Sequence, residues 1–254
     1  SLLKFWILDR PDPIEQLQEW IPWLSGILFA VFGVIVFPTI LDRPFFASLP
    51  ISDRLLSLII GAIATISLSK FGWQQLEKLQ GKEDKQQILE SVLGRFQVVS
   101  ACFVAFAHGS NDVGNAIAPV GTIVYILKNK VVPVEGFFIP FWLLILGGLG
   151  IVAGLAVQGK NVIATVGEGI ISLQPSSGFS AEIATAITVL LASRMGLPVS
   201  TSHALIGSVV GIGLSKNFKE VRLETLRSVV LAWFVTVPFA ALLGAMTFSI
   251  LRLI

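Results

Sequence analysis

Two polar stretches stand inside otherwise apolar parts of the sequence. The first is Phe106–Val120, FAHGSNDVGNAIAPV, which contains a histidine, a serine, an aspartate and two asparagines. The second is Gly196–Gly211, GLPVSTSHALIGSVVG, in which three consecutive hydroxyl residues and a histidine precede an apolar run. Polar groups in such surroundings need partners, because burying an unpaired polar group costs free energy. The two stretches are therefore the first candidates for a binding site.

Each stretch is predicted to interrupt a membrane helix. The segment Phe96–Leu127 is interrupted by HGSNDVGN, and the segment Ser180–Leu214 is interrupted by RMGLPVSTSH. Both interruptions combine glycine with residues that cap helices, and the second also contains Pro198. Irregular backbone is tolerated at membrane depth only where it is buried in protein or lines a water-filled cavity. Transporters use such broken helices to bind ions and substrates.

The second interruption has the chemistry of an anion site. Its hydroxyls lie just before a half-helix that begins near His203, where N-capping residues belong. A helix N-terminus with free N–H groups and several hydroxyls suits an oxyanion, which offers many acceptor oxygens. In the first interruption, Ser110, Asn111 and Asp112 are expected to cap the half-helix that follows. A structural, hydrogen-bonded role is favoured for both histidines, His108 and His203.

Two acidic residues provide the argument for a coupling ion. Asp112 and Glu182 lie in apolar contexts, where a charge at the centre of a membrane helix costs roughly 2.5–3.5 kcal/mol. Arg194 is the one basic residue in the two interrupted segments, so mutual salt bridges cannot neutralise both acids. Bound cations or protons would neutralise them and would remove their repulsion of a bound anion. Structural roles stay open: helix capping for Asp112, and a contact between helices for Glu182.

The composition is that of a membrane protein. Of the 254 residues, 54% are hydrophobic and 13% are charged, against about 25% charged in an average soluble domain. Several apolar runs approach the ~20 residues that cross a ~30 Å hydrocarbon core, and the clearest are Ile21–Leu41, Leu55–Phe71, Phe137–Val157 and Ser228–Ile250. The predicted fold class is an all-α, polytopic membrane helical bundle with broken, re-entrant helices. The net charge of +2, without a lysine-rich run, argues against nucleic-acid binding.

The distribution of basic residues predicts an orientation. If the hydrophilic segment 70–95 lies in the cytoplasm, most Lys and Arg residues lie on that side, as the positive-inside rule favours. The chain then starts inside, with residues 1–20 as a cytoplasmic lead-in, and ends outside. The segment 70–95 is expected to be an exposed helical hairpin or loop.

Three ordered motifs resemble the inorganic phosphate transporter family. AFAHGSNDVGNAIAPV resembles the family's G-[AGS]-N-D-V-x-N-A signature, and GLPVSTSHALIGSVVG resembles its G-L-P-V-S-T-T-H motif, with Ser202 in place of the second threonine. Between them, TVGEGIISLQPSSGFSAE resembles the family's connecting stretch, which ends here at Glu182. The resemblance implies a secondary transporter of two inverted repeats that moves inorganic phosphate with Na⁺ or H⁺. It implies neither an enzyme nor a cofactor other than the coupling ion.

The resemblance also implies roles for particular residues. The phosphate-binding set would be Ser110, Ser200, Thr201, Ser202 and His203. The cation-binding set would be Asn111, Asp112, Asn115 and Glu182, with Na⁺ held by the first three and no other metal. Each motif occurs once, so residues 1–254 are predicted to be a single transmembrane transporter domain, the C-terminal repeat. The other repeat is expected in a longer chain, in preference to a second copy that completes the site as a homodimer.

Three alternatives remain at this point. Another tetrahedral oxyanion such as sulfate would suit the same hydroxyls and helix N-terminus. An intramembrane hydrolase would pair Ser200 or Ser202 with His203 or His108, although the G-x-S-x-G nucleophile elbow is absent and adjacent Ser202 and His203 would not readily face each other on a helix. A structural membrane subunit would need no ligand. The predicted location is the plasma membrane, with an organellar inner envelope as the alternative.

Overall fold

The computed structural model describes residues 3–35, 53–81, 84–134, 136–216 and 221–253. Within these ranges the regular structure is helical, which confirms the predicted all-α class. A short π-helical turn, Lys4–Leu8, precedes the α-helices. They are α1 Pro13–Ile35, α2 Asp53–Leu79, α3 Lys85–Asn129, α4 Phe141–Gly167, α5 Pro175–Arg194, α6 Thr201–Lys216 and α7 Leu223–Arg252.

Helices α2, α3, α4, α5 and α7 are each long and apolar enough to cross a membrane. The most apolar part of α7 has a mean hydropathy of 2.2, yet none of its residues is buried within the chain. A helix that is apolar on all sides and exposed is typical of a membrane span. The chain is therefore a multi-pass membrane protein. Residues 36–41 of the predicted crossing at Ile21–Leu41 lie outside the described residues.

The hydrophilic segment 70–95 forms a helical hairpin, as predicted, but the hairpin is not exposed throughout, because several of its apolar side chains are buried in the main hydrophobic core. Helix α2 ends at Leu79, a turn follows in which Gly81 has a φ of +78°, and α3 begins at Lys85. The Asp84 side chain caps α3 by accepting the backbone N–H of Gln86. The lead-in, residues 1–20, is not separate from the bundle, because side chains of its π-helical turn and of α1 join the main hydrophobic core.

Helices α3 and α5 run parallel and form the centre of the bundle. Near their starts, Gly94 of α3 lies against Pro175 of α5. Much further along, Asn111 of α3 meets Ser193 of α5, so the two helices keep nearly the same register over this length. The main core lies toward the starts of these two helices, around the fully buried ring of Phe96, and includes side chains of α1 and α2. This pairing fixes where the two polar stretches meet.

Helices α5 and α6 form an antiparallel hairpin. Thr185 and Ser208 are hydrogen-bonded across it at 3.2 Å, and Gln174 meets Lys216 at its open end at 3.5 Å. The helical structure stops at Arg194 and resumes at Thr201. The predicted interruption of the segment Ser180–Leu214 is therefore present, and the segment goes into the bundle and returns.

The predicted interruption at HGSNDVGN is wrong. Helix α3 continues through it as a single helix from Lys85 to Asn129, about 67 Å long at 1.5 Å per residue. Glycine, serine and asparagine each lower helix propensity by about 1 kcal/mol or less, and packing against α5 along its length outweighs this. Ser110, Asn111 and Asp112 do not cap a helix, because the backbone does not leave the helix there.

Candidate functional site

Two asparagines of α3 hold the connection between α5 and α6, which forms the tip of the hairpin. Asn111 Nδ2 donates to the Val199 carbonyl oxygen at 2.8 Å, and Asn115 Nδ2 donates to the same oxygen at 3.3 Å. Ser193, at the end of α5, donates its hydroxyl to Asn111 Oδ1 at 3.0 Å. A carbonyl oxygen has two lone pairs, so both lone pairs of Val199 are engaged. The asparagines of the first polar stretch thus fasten the second stretch to α3.

Asp112 is the carboxylate at this junction. Thr201 Oγ1 lies 3.0 Å from its Oδ2 and 3.3 Å from its Oδ1. His108 Nε2 lies 2.8 Å from Oδ2, and Asn111 Nδ2 lies 2.9 Å from Oδ1. The Asp112 side chain nevertheless stays 32% exposed. Its oxygens are therefore oriented by the protein but remain accessible to a ligand.

Thr201 is the buried link between the two motifs. It is the first residue of α6, and only 6% of it is exposed. Its sequence suggested a contact with phosphate, but its hydroxyl lies on Asp112. A hydroxyl has one proton to donate, so Thr201 cannot donate to Asp112 and to an anion at once. In this conformation its backbone N–H is the donor left for an anion.

The N-terminus of α6 has the features of an oxyanion site. Ser200 Oγ accepts the backbone N–H of His203 at 3.3 Å and lies 2.7 Å from His203 Nδ1. The His203 ring stacks on Trp233 of α7 with 3.8 Å between ring centroids, and Ser202 is exposed. The first N–H groups of a helix have no intrahelical acceptor, and the helix dipole favours an anion there. Thr201 and Ser202 carry such N–H groups.

Pro119 frees a further oxygen close to this junction. Proline has no backbone N–H, so within continuous α3 the Asn115 carbonyl lacks its usual helical donor. Carboxylate, amide and backbone carbonyl oxygens are the ligands of hard cations such as Na⁺. Asp112, the Asn115 side-chain oxygen and this carbonyl are oxygens of the types that such cations bind. The proline was visible in the sequence, but its consequence depends on the helix being continuous.

Glu182 lies apart from the other predicted cation ligands. Its Oε2 accepts a short hydrogen bond from Ser100 Oγ, and Gln97 Nε2 is 3.4 Å from its Oε1. Ser100 precedes Asn111 by eleven residues on α3, which is about 16 Å along the helix axis. The structure therefore does not bring Glu182 together with Asn111, Asp112 and Asn115. Glu182 forms a second polar cluster with Ser100 and Gln97, nearer to the starts of α3 and α5.

The remaining predicted residue, Ser110, is exposed on α3 beside Asn111. Several partners at the site were missed in the sequence. No signal marked the Val199 carbonyl, because every residue has one, and Trp233 lies within an apolar run of α7 that contains no motif. Ser193 precedes the polar connection by two residues and could have been found by extending the motif toward the N-terminus.

This arrangement defines a class of protein. Membrane helices that carry a re-entrant hairpin, with a helix N-terminus and oriented polar side chains at its tip, form the binding sites of secondary transporters. Residues 1–244 match the model of the phosphate transporter family. The chain belongs to the phosphate transporter family.

Similar proteins support this membership. A Haemophilus influenzae protein with the provisional name of phosphate permease is 36% identical over 251 residues, which are 98% of this chain and 59% of that protein. The Arabidopsis thaliana protein "Inorganic phosphate transporter 2-1, chloroplastic" is 46% identical over 159 residues, which are 62% of this chain and 27% of that protein.

A solved structure is similar over the whole chain. This structure, "The sodium-dependent phosphate transporter", has a TM-score of 0.83 and 32% identity, and the alignment covers 100% of this chain and 61% of that one. The chain thus spans about 60% of the length of the Haemophilus influenzae relative and of the solved structure. The family and the solved neighbour are transporters, not enzymes. The hydrolase alternative is therefore wrong, and the Ser200–His203 contact belongs to a helix cap.

Proposed function

We propose that this chain is the C-terminal repeat of a longer secondary transporter that moves inorganic phosphate together with a coupling cation. Membership of the phosphate transporter family supports phosphate as the substrate. The similar solved structure is of a sodium-dependent phosphate transporter, which supports Na⁺ over H⁺ as the coupling ion. Residues 1–254 would act as one transporter domain.

The contact between Asp112 and Thr201 is the observation that carries this proposal. It places the carboxylate of the first motif within 3.0 Å of the first residue of α6, where an anion is favoured. Without a cation, the negative charge of Asp112 would repel that anion. A cation held by Asp112 and Asn115 removes the repulsion, so each ligand improves binding of the other. This reciprocal dependence is the basis of coupled transport.

The same geometry favours phosphate over sulfate. Hydrogen phosphate carries an O–H donor, and sulfate at neutral pH carries none. A site that hydrogen-bonds a donor rejects an analogue lacking it, because its own acceptor is left unpaired. Asp112 is an acceptor adjacent to the proposed phosphate donors, which are Ser110, Ser200, Ser202, His203 and the backbone N–H of Thr201. Sulfate remains the alternative substrate.

Completion of the site requires a second repeat. Each motif occurs once in this chain, and the Haemophilus influenzae relative is longer than the chain. We propose that the N-terminal repeat of the same polypeptide supplies the other half, and a homodimer of this repeat is the alternative. The plasma membrane is the proposed location, and the chloroplastic relative keeps an organellar inner envelope as the alternative.

Uptake of radiolabelled phosphate by proteoliposomes that contain the complete parent protein tests the proposal. We expect an inward Na⁺ gradient to drive uptake, excess unlabelled sulfate to compete weakly, and Asp112→Asn to abolish coupling. Glu224→Gln, which neutralises an acid in the first turn of α7, is the matched control and should transport normally. Absence of phosphate uptake under Na⁺ and H⁺ gradients, by correctly inserted wild type, would overturn the proposal. If Asp112→Asn changed stability alone, the structural-subunit alternative would be favoured.

A further inference from the structure

Trp233 of α7 contacts the candidate site through the His203 side chain. The two rings are stacked, with their centroids 3.8 Å apart and their planes inclined by 23°. One edge of the imidazole is also held, because Nδ1 lies 2.7 Å from Ser200 Oγ. Within the described residues, Nε2 has no protein partner, and His203 is exposed. The protein thus holds one face and one nitrogen of the imidazole and leaves the second nitrogen open.

Helix α7 is attached to the bundle along a narrow stripe that ends at Trp233. The backbone N–H of Arg222, just before the helix, donates to the Ile170 carbonyl at 2.9 Å. Leu226, Val229 and Trp233 pack against a buried cluster that includes side chains of α6, and their spacing of three and four residues puts them on one face of α7. Beyond Trp233, every described residue of α7 is exposed. The last packed residue of α7 therefore lies on a residue of the site.

The Ser200 contact favours a proton on the open nitrogen of His203. Ser200 Oγ already accepts the backbone N–H of His203 at 3.3 Å, and its own proton is available to Nδ1. A neutral imidazole that accepts a hydrogen bond at Nδ1 carries its proton on Nε2. The exposed Nε2–H is then a donor, which is the group that an oxyanion needs from the protein. Its usefulness depends on the imidazole being kept in one orientation.

We propose that Trp233 is a positioning residue for phosphate, which fixes His203 at the N-terminus of α6 with its Nε2–H free to donate to the substrate. This inference rests on the proposed function, since it requires that His203 contact phosphate. An exposed side chain exchanges between staggered rotamers unless contacts select one of them. The hydrogen bond to Ser200 restrains one edge of the imidazole, and the indole restrains its plane. Without the indole, part of the affinity for phosphate is lost in ordering the imidazole.

Phosphate uptake by proteoliposomes that contain the complete parent protein, measured at saturating Na⁺, tests the proposal. Trp233→Leu should raise the KM for phosphate about two- to tenfold, the range that an aromatic pair contributes, with the maximal rate unchanged. Trp233→Phe keeps an aromatic ring and should restore most of the affinity. Phe234→Leu is the matched control, because Phe234 is the next residue of α7 and is 75% exposed.

A double-mutant cycle with His203→Ala separates positioning from simple packing. If Trp233 acts through the imidazole, His203→Ala should raise the KM for phosphate by itself, and Trp233→Leu should add no further rise in that background. An equal rise from Trp233→Leu with and without His203 would overturn the proposal, because Trp233 would then act independently of the imidazole.

The single variants also have outcomes that overturn the proposal. An unchanged KM for Trp233→Leu, or a lower maximal rate with the KM preserved, would assign Trp233 to the packing of α7 alone. If Trp233→Leu does not fold, Trp233→Met decides, because methionine fills irregular space without a ring to stack, and an unchanged KM for that variant overturns the proposal as well. Absence of phosphate uptake by correctly inserted wild type would overturn the proposed function itself. Normal uptake by wild type, with no effect of the Trp233 variants on KM, would overturn this inference alone.

Discussion

Replacing Thr201 by valine isolates the hydroxyl that joins the two motifs. Valine has nearly the same shape as threonine, so the buried volume at the start of α6 is kept. The substitution removes the donor that lies 3.0 Å and 3.3 Å from the two oxygens of Asp112. The hydrogen bonds from Asn111 and Asn115 to the Val199 carbonyl are not touched. The expected effect is thus a poorly oriented carboxylate on an otherwise intact hairpin.

The size of the effect follows from the partners that Asp112 keeps. Hydrogen bonds to charged groups contribute about 1.5–3 kcal/mol each. His108 and Asn111 still contact Asp112 in the variant, and the side chain is 32% exposed, so water can replace part of the loss. We therefore take the lower limit of about 1.5 kcal/mol, which is about tenfold in affinity. The Na⁺ concentration for half-maximal uptake should rise by about this factor.

Phosphate uptake by proteoliposomes, measured against Na⁺ concentration and then against phosphate concentration, provides the assay. Thr201→Ser should restore the wild-type Na⁺ dependence because it restores the hydroxyl. Thr188→Val is the matched control, since the Thr188 hydroxyl donates within its own helix to the Ala184 carbonyl and is exposed. An unchanged Na⁺ dependence, with a raised KM for phosphate, would refute the reasoning and assign the Thr201 hydroxyl to the anion.

Three further predictions concern the packing and the second polar cluster. Glu90→Ala removes both acceptors of Ser176 at the start of α5, 2.9 Å from its N–H and from its hydroxyl, and should lower the free energy of unfolding by about 0.5–2 kcal/mol, as loss of a cap does. Phe96→Ala empties a fully buried position in the main core and should cost about 3–5 kcal/mol in unfolding by denaturant. Glu182→Gln keeps a side chain able to contact Ser100 but loses the charge, and should reduce phosphate uptake without lowering the thermal unfolding temperature.

Each of these has a result that contradicts it. An unchanged unfolding midpoint for Glu90→Ala would mean that water caps α5 equally well. A loss below about 1 kcal/mol for Phe96→Ala would mean that the core around it relaxes to fill the space. Normal uptake by Glu182→Gln would leave Glu182 as a contact between α3 and α5 with no part in coupling.

The two polar stretches looked alike in the sequence, but they form different structures. Gly196 has a φ of +70°, which takes the backbone out of the helical conformation, and Pro198 two residues later disfavours its immediate return. HGSNDVGN contains residues of low helix propensity and no proline, and its packing against α5 keeps it helical. The sequence alone contains no information on that packing. Residue types in the sequence thus predicted the break between α5 and α6 correctly. They predicted a break at HGSNDVGN that packing against α5 prevents.

The site was predictable where its chemistry belongs to side chains. Asp112 was identified because a carboxylate in an apolar segment needs a partner, and the hydroxyls were identified because they precede a helix. Two facts depended on the fold. The Val199 carbonyl is a backbone atom that no residue type marks. The separation of Glu182 from Asn111 follows from the parallel register of α3 and α5, because Glu182 contacts Ser100, which lies about 16 Å before Asn111 along α3.

The unbroken α3 has a mechanical consequence. Glu90 holds the start of α5 at one end, and Asn111 holds the tip of the hairpin about 31 Å further along the same rod. If α3 tilted near Glu90, Asn111 would move with it, because the helix has no break between the two residues. The non-helical connection between α5 and α6 is then the part of the hairpin that can change conformation. The site would open by breaking the hydrogen bonds from Asn111 and Asn115 to the Val199 carbonyl, while α3 stays straight.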